Sequence, residues 1–162
     1  MNRIPDSAGL EKLRNYLKKD YLDNTGSIRL CAGGGCLASG EPELKKAFEK
    51  ALSEAGIADK FPIRETGCLG PCSRGPVMMV DPEGIIYEGL SEQDAYRIVK
   101  EHLIGGKPVE DLLHRNRRDG EIAATEDKSD FLRLQEKVVL RRCGKVDPLD
   151  IRDSIARGGY SA

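Results

Sequence analysis

Leu10, Leu13 and Leu17 recur at helical spacing and predict an amphipathic helix from Ser7 to about Tyr21. Asp23, Asn24, Thr25 and Gly26 form a breaker that ends it. Ser27 to Leu30 alternates and reads as a short strand ending at Cys31. The clearest stripe follows: Leu44, Ala47, Phe48, Ala51, Leu52 and Ala55 share one helical face. Pro42 suits the start of that helix and Gly56 the residue after its end. Phe61 to Thr66 is a candidate strand, and Pro62 predicts a late start or an edge position. Val77–Val80 and Ile85–Tyr87 flank Asp81, Pro82, Glu83 and Gly84, which is hairpin chemistry. Ser91 and Asp94 resemble a capping box, and Ala95, Ile98, Val99 and Leu103 continue as a helix up to Gly105 and Gly106. The predicted order is α-β-α-β-β-β-α.

Composition narrows the class. Across 162 residues, 27 acidic and 26 basic side chains leave a net charge of −1. That balance gives no general attraction to nucleic acid or to anionic lipid. No apolar run approaches the roughly 18 residues that a membrane helix needs, so direct membrane insertion is not expected. Met1 to Asp20 is charged throughout and has no secretory apolar region, so the chain is read as cytoplasmic, with membrane association only through a complex.

The chemistry lies in the five cysteines. Cys31 and Cys36 enclose Ala32, Gly33, Gly34 and Gly35; Cys68 and Cys72 enclose Leu69, Gly70 and Pro71. Close thiol pairs in a reducing compartment point to metal or catalysis before structural disulfides. Glycine lets a chain wrap a compact object and bring backbone N–H groups close to it. Zinc sites use pairs spaced by two to four residues, which suits the second loop better than the first. A [2Fe-2S] cluster is wider and can take one pair per iron, and the spacing favours it over zinc. A structural zinc module without redox function is the alternative. A thiol–disulfide enzyme and a vestigial fold without a cluster are weaker readings.

Met78 and Met79 alternate with Val77 and Val80 and read as packing residues. His102 and His114 share no tight motif with the cysteines, which disfavours a two-histidine cluster site. The run His114-Arg115-Asn116-Arg117-Arg118 reads first as a solvated linker and second as a docking patch for an acidic partner. Gly33 to Gly35 and Gly67 to Gly70 are candidate backbone donors to sulfur. Arg29 and Arg74 are candidates for added positive potential, with solvated surface arginines an equal reading.

From Ser27 to about Leu113, three features together resemble the thioredoxin-like [2Fe-2S] ferredoxin family: the Cys31–Cys36 loop, the Thr66–Pro76 segment and the Val77–Tyr87 hairpin. That family includes the small iron–sulfur subunit of respiratory NADH dehydrogenase and the matching domain of NAD-linked hydrogenases. The resemblance implies a thioredoxin-like α/β (α+β) fold, a mixed sheet flanked by helices, with a C-terminal tail. It implies that Cys31, Cys36, Cys68 and Cys72 each ligate the cluster, and that the chain is a one-electron carrier rather than a catalyst on its own.

Val138 to Tyr160 resembles the opening of the flavoprotein subunit of the same enzymes, with a short strand at Val138–Leu140 and a helix from Asp147-Pro148 to Gly158. Cys143 lies there and reads as a free structural thiol. The expected organisation is an N-terminal helix (1–24), the cluster domain (25–113), a polar linker (114–130) and the start of a truncated flavoprotein-like region (131–162). FMN and NADH are then expected only in a partner or in a missing region. The implied partners are a flavoprotein and other iron–sulfur, hydrogenase or dehydrogenase subunits.

Overall fold

The structure, a computed structural model, describes residue 4 and residues 6–22 and 26–161. Helix α1 spans Ser7–Tyr21, and its N-cap Asp6 accepts the Gly9 N–H at 2.7 Å. Most of the predicted breaker, residues 23–25, lies outside the described residues. Four strands follow: β1 (Ser27–Cys31), β2 (Ile63–Thr66), β3 (Val77–Asp81) and β4 (Ile85–Glu88). They form one mixed sheet in the order β2-β1-β3-β4. β1 runs parallel to β2, with Cys31 opposite Thr66, and antiparallel to β3, with Leu30 opposite Met78. β2 begins after Pro62 and occupies an edge, where a residue without an N–H costs no ladder bond.

Side chains alternate across a strand, so the sheet has two different faces. One face carries Ile28, Leu30, Met78, Val80 and Tyr87. It packs against α3 (Glu41–Glu54) and α4 (Glu92–Ile98) through Leu44, Phe48, Leu52, Ala95 and Ile98. The predicted stripe of α3 is buried, and Gly56 follows the helix with φ +67°, the left-handed position that glycine adopts without steric cost. The Ser91–Asp94 capping box starts α4, and one wide turn over Val99–Ile104 extends it to the Gly105–Gly106 stop.

The opposite face gathers Cys31, Val77, Met79 and Ile86 with Cys36, Leu69 and Leu132. Met78 and Met79 therefore both pack, on opposite sides of the sheet. A short helix that periodicity did not predict, α2 (Gly34–Ala38), carries Cys36. The segment after residue 112 is not a solvated linker. It runs along β4, with the His114 N–H donating to the Ile86 carbonyl at 3.0 Å and the Ile86 N–H to the Ala124 carbonyl at 2.7 Å. Ala123 and Ser129 are fully buried.

Two expectations for the tail need correction. Val138–Leu140 is an exposed turn rather than a strand, with Val139 91% accessible. The tail helix is shorter than predicted: α5 spans Ile151–Ala156, because Asp150 caps it by accepting the Arg152 N–H. Ile155 and Ala156 pack on Leu17 of α1. Among the described residues, no helix is long and apolar enough to cross a membrane.

Candidate metal centre

The fold brings both cysteine pairs to one end of the sheet. Cys31 ends β1, and Cys36 sits in the middle of α2. Cys68 stands two residues beyond β2, and Cys72 opens a 3₁₀ turn, Cys72–Arg74. The Ala32 N–H donates to the Thr66 carbonyl at 2.9 Å, which carries the β1–β2 pairing up to the point where the two loops diverge.

All five thiols are free, and the first pair is deeper than the second. Cys31 and Cys36 are buried, Cys68 is half-buried and Cys72 is exposed. The Cys68 and Cys72 sulfurs stand 3.4 Å apart, without a disulfide. Gly33 lies between the two loops: a Cβ there would stand at van der Waals distance, 3.5 Å, from both the Cys31 Sγ and the Cys68 Cβ. Gly70 has φ +130°, and a Cβ there would meet Leu132 at 2.9 Å. Any other residue at Gly70 would be strained in backbone and in packing.

Electrostatics separate the thiols. The neighbouring Cys36 thiol pulls Cys31 down to about 5; burial opposes this, and the Leu69 and Gly33 backbone N–H groups pull the same way. Cys36 is pushed up, because the Cys31 sulfur and burial outweigh the Val77 N–H. Burial and Cys72 raise Cys68 to about 11, against the Gly70 N–H. Gly33 and Gly70 were expected as donors. Leu69 lies inside the expected span 67–70 as well; Val77 was not expected, since a backbone donor leaves no mark in side-chain chemistry.

These residues fit a two-iron cluster. Four thiols converge as two close pairs on walls of glycine, with N–H groups aimed at three of the sulfurs. The hydrogen bonds and access that such walls provide are among the features that set a cluster's potential. Among the described residues, no three His, Cys, Asp or Glu side chains converge as they would on a single ion.

The remaining candidates sit around this centre. Arg29 is bound to Asp81 at 2.6 Å and to the Gly144 carbonyl at 2.6 Å. Arg74 is bound to Glu88 at 2.6 Å. Both are ion-paired; Arg29 is largely buried, and Arg74 remains partly exposed. His114 is buried between Glu88 Oε2 (2.6 Å) and Ser129 Oγ (2.9 Å), and His102 is buried against the Tyr87 hydroxyl at 3.0 Å. Cys143 lies against the second loop, its thiol 3.4 Å from the Cys68 carbonyl oxygen.

A thioredoxin-like sheet with four thiols gathered at one end defines a small iron–sulfur electron carrier. Residues 21–103 match the model of the thioredoxin-like [2Fe-2S] ferredoxin family, and the chain belongs to that family. It is 38% identical over 81 residues to a 2Fe-2S ferredoxin of Aquifex aeolicus, covering 49% of this chain and 73% of that one. A crystal structure of the thioredoxin-like [2Fe-2S] ferredoxin from Aquifex aeolicus superimposes with a TM-score of 0.52 at 29% identity, over 56% of this chain and 96% of that one. A component of the NADH-quinone oxidoreductase of Rickettsia typhi is 29% identical over 80 residues, covering 47% of this chain and 46% of that one. The chain is thus a [2Fe-2S] ferredoxin-like electron carrier, and the zinc alternative gives way to the cluster. None of these matches bears on the flavoprotein-like reading of residues 138–160.

Proposed function

We propose that Cys31, Cys36, Cys68 and Cys72 are the four ligands of one [2Fe-2S] cluster, and that the chain relays single electrons inside an NADH-dependent oxidoreductase complex. The convergence of the two thiol pairs across Gly33 carries the ligand assignment. When bound, such a cluster supplies one-electron exchange, and its formal charge passes from −2 to −3 on reduction. The part of this chain is to hold the thiolates and stabilise the added negative charge. The N–H groups of Gly33, Leu69, Gly70 and Val77 do so without bringing in water.

The complex is of the NADH dehydrogenase kind, or the diaphorase part of a hydrogenase or formate dehydrogenase. FMN and NADH would bind outside the residues described above. The similarity to the rickettsial oxidoreductase component supports this placement, and the flavoprotein-like stretch 138–160 agrees with it. The cluster-bearing unit is taken as residues 25–113.

Anaerobic purification followed by absorption, EPR and sulfide analysis tests the site. The expected result is equal iron and acid-labile sulfide, with an EPR signal on one-electron reduction that each of the four Cys→Ser variants loses or alters. A colourless chain with one zinc and no sulfide would overturn it. Co-purification with an NADH-oxidising flavoprotein, and reduction of this chain by NADH only in its presence, tests the complex.

A further inference from the structure

Cys72 is the exposed thiol of the site, and a cavity of about 490 Å³ opens beside it. Its walls are the Cys72–Arg74 turn on one side and residues 114–134 on the other. Those latter residues lie beyond residues 21–103, the part of the chain that matches the family. This second wall holds the basic run whose second reading in the sequence is a docking patch for an acidic partner.

The cavity carries four arginines, Arg74, Arg117, Arg118 and Arg133, against one carboxylate, Asp130. The whole chain is nearly neutral, so this is a local concentration of one sign. Arg74 is neutralised by Glu88, and Asp130 stands 3.6 Å from Arg133. Arg117 reaches across the cavity to the Ser73 hydroxyl, and Arg118 makes no ion pair among the described residues. The arginines are presented from an ordered base. His114 is fixed between Glu88 and Ser129, and the Asn116 N–H donates to the Glu121 carbonyl at 2.9 Å. Phe131 and Leu134 stand 56% and 71% exposed on the rim.

We propose that this cavity is the docking site of an acidic electron-transfer protein, whose carboxylates engage Arg117, Arg118 and Arg133 and whose apolar surface covers Phe131 and Leu134. The proposal rests on the electron-carrier reading above and names the kind of partner. Charge complementarity at such a patch steers encounter, and exposed apolar residues inside a charged rim mark a protein contact. The electron would cross beside Cys72, the point where the ligand shell reaches solvent.

Two measurements on the full chain separate this from the cluster reading. The first is binding of a fluorescein-labelled ten-residue oligoglutamate, followed by anisotropy, which needs no cluster. The variant Arg117→Gln/Arg118→Gln/Arg133→Gln should weaken it about tenfold, and rising salt should weaken the wild type more than the variant. The second is oxidation of the dithionite-reduced chain. One electron passes to the oxidant, no bond forms and no proton moves. The triple variant should react several-fold more slowly with anionic ferricyanide and no more slowly with cationic tris(phenanthroline)cobalt(III). Equal peptide binding by variant and wild type would overturn the docking site, and so would equal changes with both oxidants. Inorganic pyrophosphate displacing the peptide at matched ionic strength, with no response to the Phe131→Ser/Leu134→Ser variant, would assign the cavity to a small anion instead. Loss of the cluster spectrum with intact peptide binding would fault only the electron-carrier reading.

Discussion

The Cys143 thiol stands 3.4 Å from the backbone carbonyl oxygen of Cys68 and donates to it. Seventy-five positions of chain separate the two. The tail thus braces the second cysteine loop from outside, and Gly144 lies over Cys68 and Leu69 in the same contact. Cys143 touches the second cysteine loop through that loop's backbone, which separates it from the four paired thiols.

That contact leaves no room at Gly67, where an added Cβ would lie 2.8 Å from the Cys143 Sγ. Gly67→Ala should cost on the order of 1–3 kcal/mol, the usual range for overpacking. Cys143→Ala should relieve most of that cost. A double-mutant cycle by urea unfolding measures the coupling. Simple additivity of the two substitutions would mean that the tail does not press on the loop in solution.

Cluster retention should divide the cysteines four to one. Cys143→Ser keeps a hydroxyl that can donate to the same carbonyl, so iron, sulfide and EPR should match the wild type. Cys68→Ser and Cys72→Ser should weaken folding as well as the cluster, because ligand binding energy is folding energy in a small metal domain. Melting temperatures of the cluster-loaded chain and the chelator-stripped chain check this. Equal values would detach the cluster from stability.

Arg29 was a candidate for tuning the cluster by its charge. Its guanidinium instead joins Asp81 and the Gly144 carbonyl, tying β1 to β3 and to the tail. A charge neutralised at 2.6 Å contributes little field further away. Arg29→Gln should therefore cost about 2 kcal/mol of stability, since it strands a largely buried carboxylate. It should leave the reduction potential nearly unchanged. Protein-film voltammetry beside thermal unfolding separates the two effects.

The legible parts of the molecule were those written in local chemistry. The stripe from Leu44 to Ala55 needed only periodicity, and the two thiol pairs needed only spacing and glycine. α2 escaped because Gly34, Gly35, Cys36, Leu37 and Ala38 are too few to show a period. Val138–Leu140 reads as a strand by composition, yet the outer edge of β4 is already taken by residues 113–124, so no ladder is open to it there. His114 to Arg118 looked solvated because Glu88, the partner that buries its histidine, lies 26 positions earlier.

The contact between α1 and α5 should respond to pH at both ends. The Tyr21 hydroxyl donates to Asp150 Oδ2, and Arg152 beside Asp150 holds that carboxyl down at about 2. A carboxyl lowered by folding stabilises above its unfolded value near 4, and the contribution fades as pH falls towards 2. Burial and Asp150 push Tyr21 up to about 12, so its share is present below pH 10 and is lost as pH rises towards 12. Tyrosine fluorescence and amide exchange in α1 should show release at both extremes. Asp150→Asn should flatten the acid arm, and an unchanged acid arm would place the titration elsewhere.

Glu41 begins α3 fully buried, and among the described residues neither of its carboxyl oxygens has a hydrogen-bond partner. Burial pushes its pKa up, and Glu65 adds to the rise against Lys45. A carboxyl raised by folding costs nothing below its unfolded value, and stability is lost as pH rises through the folded value. The residue should therefore weaken the protein at neutral pH. Glu41→Gln removes the charge but keeps unpaired polar atoms, so it should recover part of the loss. Glu41→Met fills similar space without them and should gain on the order of 1–3 kcal/mol at pH 7, the cost of an unsatisfied buried polar group. Both gains should shrink below about pH 4, where the carboxyl is neutral in either state. Denaturant unfolding at pH 4 and pH 7 reads this directly. A loss of stability in Glu41→Met would show that the carboxylate has a partner in solution, one that holds it in place at the mouth of the first cysteine loop.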